Sequence, residues 1–317
     1  MSFNSATEKL LNAALVKRLP LRKMTNAIRL INGVGDRLDG LVLEQYDRHF
    51  VAQIFDPSWL IHERNLADFL TSQFAVDYFI VKDRTMSASS NPDQIKFKEV
   101  IQRSGSRTLV KENGLQFEVD LNDTLNTGLF LDMRANRHLV GRCCQSGRML
   151  NCFAYTCSFG VYAKYFGAQQ TVNVDVSKKI LEKGARNYQL NQMDTQSQEL
   201  IKADAVDYLE KAVKKQNCFD VIVLDPPSFS RLGSKAFSVE RDMAKLIQLA
   251  TQVLTAQGKL FVSTNYSSMT AAKLEKLVKA NTQGRVFKRL TQLGQDQDFV
   301  GSGLVKESHL AAVWAES

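Results

Sequence analysis

Apolar positions recur along the chain with two different spacings, and the change falls near residue 123. Between residues 27 and 56 the run AIRLINGVGDRLDGLVLEQYDRHFVAQIFD alternates β-forming residues with Gly and Asp turn signals. That pattern predicts three short strands joined by turns. A helix is expected over 58–73, a strand over 77–84, a loop over 88–94, and a hairpin over 107–121 that turns at Glu112-Asn113-Gly114. The first 21 residues read as a short amphipathic helix broken by polar and charged positions. These elements predict an N-terminal helical extension over 1–24 and a small α+β domain over 25–122.

From residue 123 onward strand-like and helix-like stretches alternate, the signature of a parallel sheet covered on both faces. Strands are expected at 148–153, 171–175, 200–202, 219–224, 259–264, 287–293 and 310–314, with helices at 177–190, 205–215, 239–255 and 270–281. The expected class is therefore α/β, a seven-stranded Rossmann-like sheet over 123–317 preceded by the small α+β domain.

Composition narrows the class without naming a function. Hydrophobic residues at 44% and charged residues at 23% match soluble globular proteins. No apolar run approaches the roughly 18 residues of a membrane span, and the first residues lack the apolar stretch of a signal peptide. A soluble cytoplasmic protein with no membrane partner is expected. Five cysteines form no CxxC pair and have no His at ligand spacing, so no metal site is predicted and reduced, buried thiols are. The formal charge of +8 is unevenly placed: residues 1–125 hold 16 basic and 16 acidic side chains, and the remainder 25 and 17. An anionic partner is favoured, and Lys17, Arg18, Arg22 and Lys23 form a local cluster able to meet phosphates.

Ligands of open α/β sheets bind beyond the carboxyl ends of the strands. Three such ends carry acidic residues: Val174-Asp175, Ala203-Asp204 and Asp225. Asp175 stands 24 residues beyond Asn151, near the spacing at which a carboxylate meets ribose hydroxyls. The loop after the first strand, Asn151 to Gly160, lacks G-x-G-x-x-G and so offers no pyrophosphate cradle. A nucleoside without phosphates fits better than NAD, which points to S-adenosylmethionine. Asp175 is equally placed to serve the N-terminus of the following helix.

The most specific segment is Asp225-Pro226-Pro227-Ser228-Phe229, straight after an apolar strand. Adjacent prolines cannot extend a ladder or enter a helix interior, so they hold a rigid turn at the strand mouth. In nucleic-acid base methyltransferases such a turn presents an acceptor and a carbonyl to a base edge while the aromatic ring stacks on its face.

A second block, Asn126-Thr-Gly-Leu-Phe-Leu-Asp-Met-Arg-Ala-Asn-Arg137, resembles that of the bacterial large-subunit ribosomal RNA methyltransferases of the RlmI and RlmK families, which modify cytosine C5 or guanine N7. The likeness continues through 150–156, 174–177, Asn187-x-x-x-Asn191, Asp204, 225–229 and Gln297-Asp-Phe299, and covers residue 25 to the end. It implies a class I methyltransferase domain behind an RNA-holding α+β domain. It further implies that Arg134 engages the methionine carboxylate, that Phe153, Ala154, Tyr155 and Thr156 line the methionine arm, that Asp175 with Val176 holds the adenosine ribose, and that Asp204 with Ala205 meets the adenine. Asp225, Pro226, Pro227 and Phe229 would face the target base, with Asp225 also reaching the cofactor. Relatives that carry a PUA module have further N-terminal sequence for which this chain leaves no room.

Two positions depart from the family pattern. Thr156-Cys157 replaces Thr-Gly, and a side chain there is expected to crowd the cofactor. Val262-Ser-Thr-Asn265 replaces the stretch in which cytosine-modifying relatives carry a nucleophilic Cys. Carbon 5 of cytosine needs a thiolate at carbon 6 before it accepts a methyl group, so Asn265 favours direct transfer to guanine N7 or another base nitrogen of large-subunit rRNA. The alternatives are a cytosine-C5 enzyme with an unrecognised nucleophile, Cys157 among the candidates, a non-catalytic RNA-binding relative, and a nicotinamide oxidoreductase. A homodimer is left open.

Overall fold

The protein is represented by a computed structural model that describes residues 3–85, 96–123, 126–193, 199–232, 235–301 and 309–317. Two compact units result: Met1–Asp132 with Asp296–Ser308, and Met133–Gln295 with His309–Ser317. The loop expected over 88–94 lies outside the described residues.

The first unit holds a five-stranded sheet in the order β1 (Ala27–Asn32), β2 (Leu41–Tyr46), β3 (His49–Ile54), β4 (Tyr78–Asp83), β5 (Lys96–Gln102). Helices α1 (Ser5–Arg18) and α2 (Glu63–Gln73) share one apolar cluster with it, built on Leu11, Leu15, Ile28, Leu30, Phe50, Leu66, Leu70 and Phe79. α1 starts where the Asn4 side chain accepts from the Ala6 and Thr7 amides. The hairpin β6 (Arg107–Glu112) to β7 (Leu115–Asp120) turns where it was expected, with Asn113 and Gly114 both at positive φ, as a two-residue turn of the right twist requires. β5 was not expected: its Lys and Glu residues are exposed, and it exists by pairing with β4.

Arg18 corrects the phosphate-contact expectation for the basic cluster. Its guanidinium is fully buried and makes a bidentate pair with Asp36 at 2.7 and 2.6 Å. Arg22 lies over the Phe74 ring, 4.7 Å from its centroid. The late Gln297-Asp298-Phe299 block serves the same unit. Asp298 is buried and accepts from the Arg29 amide at 2.9 Å, and Phe299 lies under the Arg29 guanidinium at 4.5 Å. A Cβ on Gly35 would stand 1.7 Å from the Val300 carbonyl oxygen, so only glycine admits this returning segment.

The second unit is a seven-stranded sheet in the order β10 (Leu200–Lys202), β9 (Gln170–Asp175), β8 (Arg148–Cys152), β11 (Phe219–Leu224), β14 (Leu254–Thr264), β16 (Ala311–Glu316), β15 (Arg289–Leu293). β16 runs antiparallel to both neighbours and the other pairings are parallel. All seven expected strands are present. β11 is buried except at Asp220, whose carboxylate accepts from the Arg148 amide and the Thr255 hydroxyl at 2.9 Å each. The expected helices appear as α5 (Lys178–Leu190), α6 (Ala205–Lys214), α7 (Val239–Gln252) and α8 (Ala271–Ala280). α3 (Arg134–Arg142), α4 (Ser158–Tyr165) and the hairpin β12 (Phe229–Leu232) to β13 (Lys235–Ser238) were not expected. Among the described residues no helix is long and apolar enough to cross a membrane, and no cluster of three metal-ligating side chains occurs.

Candidate active site

Strand register puts the acidic strand ends level with one another. Leu224 pairs with Cys152, and Cys152 with Val174, so Asp225, Phe153 and Asp175 follow at one height on three adjacent strands. Two strand spacings separate the outer pair by about 10 Å. The strand order reverses between β8 and β11, the switch point at which such sheets bind ligands.

The loop after β8 is strained in a patterned way. Phe153, Tyr155 and Cys157 have φ of 59°, 50° and 61°, three non-glycine residues in the left-handed region on alternate positions. Such residues cost on the order of 1 kcal/mol or more each and persist where surrounding contacts hold them. The contacts are specific. The Ala154 amide donates to the Val174 carbonyl at 3.0 Å, the Tyr155 amide to Asp175 Oδ2 at 3.0 Å, and Asn187 Nδ2 to the Thr156 carbonyl at 3.0 Å. Asn187 is buried in α5 and its own carbonyl accepts from Asn191 Nδ2 at 2.7 Å, which explains why this asparagine pair accompanies the loop.

Asp175 Oδ1 also accepts from the Ser177 amide at 2.9 Å. Burial pushes its carboxyl above the ordinary aspartate range, against the lowering by its amide donors. Val176 beside it is 38% exposed. Asp204 caps α6, its Oδ1 accepting from the Val206 and Asp207 amides at 2.9 and 3.1 Å, and Ala205 is buried behind it. Arg134 opens α3 and is 1% exposed.

At the other end of the row, Ser263 donates to Asp225 Oδ1 at 2.7 Å, and Ser228 donates to Asn265 Oδ1 at 2.7 Å. The mouths of β11 and β14 are thus tied at two points. Pro226 is buried, Pro227 exposed, and Phe229 is 59% exposed at the start of β12. The β12–β13 hairpin returns Phe237 to the Phe153 ring, centroids 5.4 Å apart, which links the proline corner to the strained loop. Ser228, Ser263 and Phe237 were not named among the site residues; Ser228 lies inside the double-proline segment and Ser263 inside the departing Val262-Ser-Thr-Asn265 stretch, whereas nothing in the sequence marked Phe237. A polar cavity of about 280 Å³ lined by Arg148, Lys164, Gln169, Gln170 and Glu199 sits at the opposite ends of β8 and β9 and takes no part in this site.

The sequence profile of the S-adenosylmethionine-dependent methyltransferases matches residues 102–298. The chain belongs to this family. Its relatives include the Neisseria meningitidis ribosomal RNA large subunit methyltransferase K, 36% identical over 68% of this chain and 63% of that one. The Tolumonas auensis ribosomal RNA large subunit methyltransferase I is 31% identical over 88% and 71%. The chain spans just under two thirds of the Neisseria protein and 65% of a similar Bacillus subtilis protein. SMU.776, solved in complex with SAH, superimposes with a TM-score of 0.87 at 27% identity, covering all of this chain and 83% of its own. The family resemblance read from the sequence, the α/β class and the S-adenosylmethionine cofactor are all borne out.

The residues present fit that cofactor. Each Asp175 oxygen takes one amide hydrogen and retains a second lone pair, enough for the two hydroxyls of a ribose. Cys157, the side chain expected to crowd the cofactor, packs its thiol against α5. Its thiol is buried where α5 has Gly184, and a Cβ on Gly184 would stand 2.4 Å from Cys157 Sγ. Gly184→Ala, favourable by helix propensity alone, should therefore destabilise the protein by about 1–3 kcal/mol in urea unfolding. Gly184→Ala combined with Cys157→Gly should recover most of that loss, and additive effects of the two changes would refute the steric account.

If Asp175 holds the ribose, its raised carboxyl would give cofactor affinity a pH dependence with a defined sign. The ionised form would accept the hydroxyl hydrogens, and protonation begins at higher pH than for a solvated aspartate. Affinity for S-adenosylmethionine, followed by calorimetry from pH 7 downward, should begin to fall at a higher pH than the protonation of a solvated aspartate would dictate. Asp175→Asn should flatten that profile at a level lower by about 10-fold or more.

Proposed function

We propose that the chain methylates a base nitrogen of large-subunit ribosomal RNA, guanine N7 above others, by direct transfer from S-adenosylmethionine. The observation that carries this reading is the state of the thiols. Cytosine C5 methylation needs a reactive thiolate beside the base. Cys152 and Cys157 are 0% exposed, and burial pushes both thiols up. Cys144 is pushed up to about 12 by burial and Cys143 is raised in the same way, and both follow α3. Cys218 precedes β11, at the end of the strand opposite Asp225. Asn265 occupies the rim where the thiol would be required.

When bound, S-adenosylmethionine supplies a methyl group on a sulfonium, which the N7 lone pair takes as the S–C bond breaks, the sulfur keeping the bonding electrons and the positive charge passing to the base. No proton has to leave, so the chain's work is positioning. Arg134 would hold the methionine carboxylate, the 153–156 loop the methionine arm, Asp175 with Val176 the ribose, and Asp204 with Ala205 the adenine. Asp225 offers a carboxylate to base N–H groups, of which the Watson–Crick edge of guanine has two kinds. Ser228 and Asn265 orient the rim, and Phe229 offers a ring face for stacking. Such a substrate implies a cytoplasmic protein, with the first unit helping to hold RNA.

Transcribed large-subunit rRNA incubated with the purified chain and methyl-labelled cofactor, then digested to nucleosides and resolved by mass spectrometry, should yield 7-methylguanosine. Label in 5-methylcytidine would overturn direct transfer. No label in any nucleoside, with cofactor bound, would favour the non-catalytic relative.

A further inference from the structure

The chain's excess positive charge has a place in the fold. Residues 271–293 hold six basic side chains and one acidic, most of the net charge of +8. They form α8 and the edge strand β15 of the second unit. α8 buries Leu274 and Val278 and leaves Lys273, Lys276 and Lys279 exposed, while Lys288 and Arg289 are exposed at the start of β15.

The single acidic residue there is already engaged. Glu275 accepts from Lys279 at 2.6 Å and from Gln292 at 2.7 Å. Arg285 is likewise used, donating to the carbonyls of Leu254, Thr255 and Ala256. Lys273 donates only to the Ser268 carbonyl, which leaves its charge uncompensated. Lys276, Lys288 and Arg289 form no ion pair among the described residues, although Arg289 lies opposite Glu316 in the β15–β16 register. On α7, by contrast, Arg241 pairs with Asp242, and Lys245 with Glu210 of α6.

We infer that α8 and the start of β15 form a phosphate-tracking surface that holds the RNA backbone flanking the target base. This rests on the RNA reading above. Thr270, the N-cap of α8, follows Asn265 by five residues, so the helix leaves from the same rim that carries Asn265 and runs about 15 Å away from it. That length covers several successive phosphates, and four cations held in no ion pair are worth most against a polyanion. Neither α8 nor β15 carries an aromatic side chain, so the surface would position the strand without reading its sequence.

The test compares two triple variants of the full chain, Lys276→Gln/Lys288→Gln/Arg289→Gln and, with the same loss of charge on α6, Lys211→Gln/Lys214→Gln/Lys215→Gln. Binding to transcribed large-subunit rRNA and to a single-stranded 20-mer is measured from 0.05 to 0.5 M salt. The first variant should bind roughly 10- to 100-fold more weakly at 0.1 M salt, with the slope of log affinity against log salt reduced by about 2. The α6 variant should stay near wild type, and both should keep wild-type cofactor affinity as proof of folding. Equal losses in both variants would reduce the effect to bulk charge, and no loss in the first would remove the surface altogether; either result overturns the inference while the methylation reading stands. If the unaltered chain binds neither RNA, the function reading itself fails. Binding of anionic vesicles lost in the first variant, with RNA binding intact, would assign the surface to another partner and also overturn it.

Discussion

Asp225→Ala should lower kcat/KM for RNA methylation by about 1,000-fold while lowering cofactor affinity by less than about 10-fold. The reason is position. Asp225 follows the last residue of β11, in line with Phe153 and Asp175, and its Oδ1 is oriented by the Ser263 hydroxyl at 2.7 Å. On the proposed reading, removing the carboxylate would leave base N–H groups without an acceptor beside the Ser263 tie between β11 and β14. Ser263→Ala should cost less, about 10-fold, because it loosens the carboxylate without deleting it. Steady-state kinetics on transcribed rRNA alongside calorimetry with the cofactor separates the effects. Retention of more than a tenth of wild-type kcat/KM by Asp225→Ala would reduce the double-proline corner to a strand terminator.

The largest loss of stability should come from a residue far from chemistry. Asp36→Asn is expected to cost the first unit about 3–5 kcal/mol, because it leaves the Arg18 charge buried without its partner, and Arg18→Met less, because Lys17 stays 3.5 Å from Asp36 Oδ1. Both side chains are fully buried. Arg18 donates to both Asp36 oxygens, to the Arg29 carbonyl at 3.0 Å, to the Ala14 carbonyl at 3.2 Å and to the Asp298 carbonyl at 2.7 Å. Asp36 in turn accepts from the Asn32 amide at 2.8 Å. One pair therefore joins α1, β1, the turn after it and the segment returning from residue 296. Urea unfolding followed by tryptophan fluorescence reports this through Trp59, which lies in the same apolar cluster. The double replacement Arg18→Met/Asp36→Leu should recover much of the loss, since an apolar pair of similar volume removes the desolvation cost as well as the attraction. A loss below about 1 kcal/mol for both single variants would show that the pair is dispensable.

The fate of Arg18 illustrates where reading a sequence reaches its limit. Lys17, Arg18, Arg22 and Lys23 form one basic run, yet one of the four is the most buried cation of the unit. Its partner Asp36 lies 18 residues away, and nothing local marks the pair. Gln297-Asp298-Phe299 is similar: a motif whose distance from the site in the sequence says nothing of its use, and which clasps β1. Cys157 is a third case. Its neighbours in the sequence do not show that the space its thiol occupies is supplied by Gly184, 27 residues later and on another element.

The chain order of apolar runs, turn residues and caps was by itself sufficient for the seven-stranded sheet, the hairpin at Asn113-Gly114 and the placing of Asp175, Asp204 and Asp225 at strand ends, because periodicity and turn chemistry act over a few residues. What brought Asp225, Ser263, Ser228 and Asn265 together, shut the thiols away and gathered cations held in no ion pair on α8 and β15 was tertiary packing. Those outcomes depend on strand order and burial, which are sums over distant parts of the chain and leave no signal at any one position.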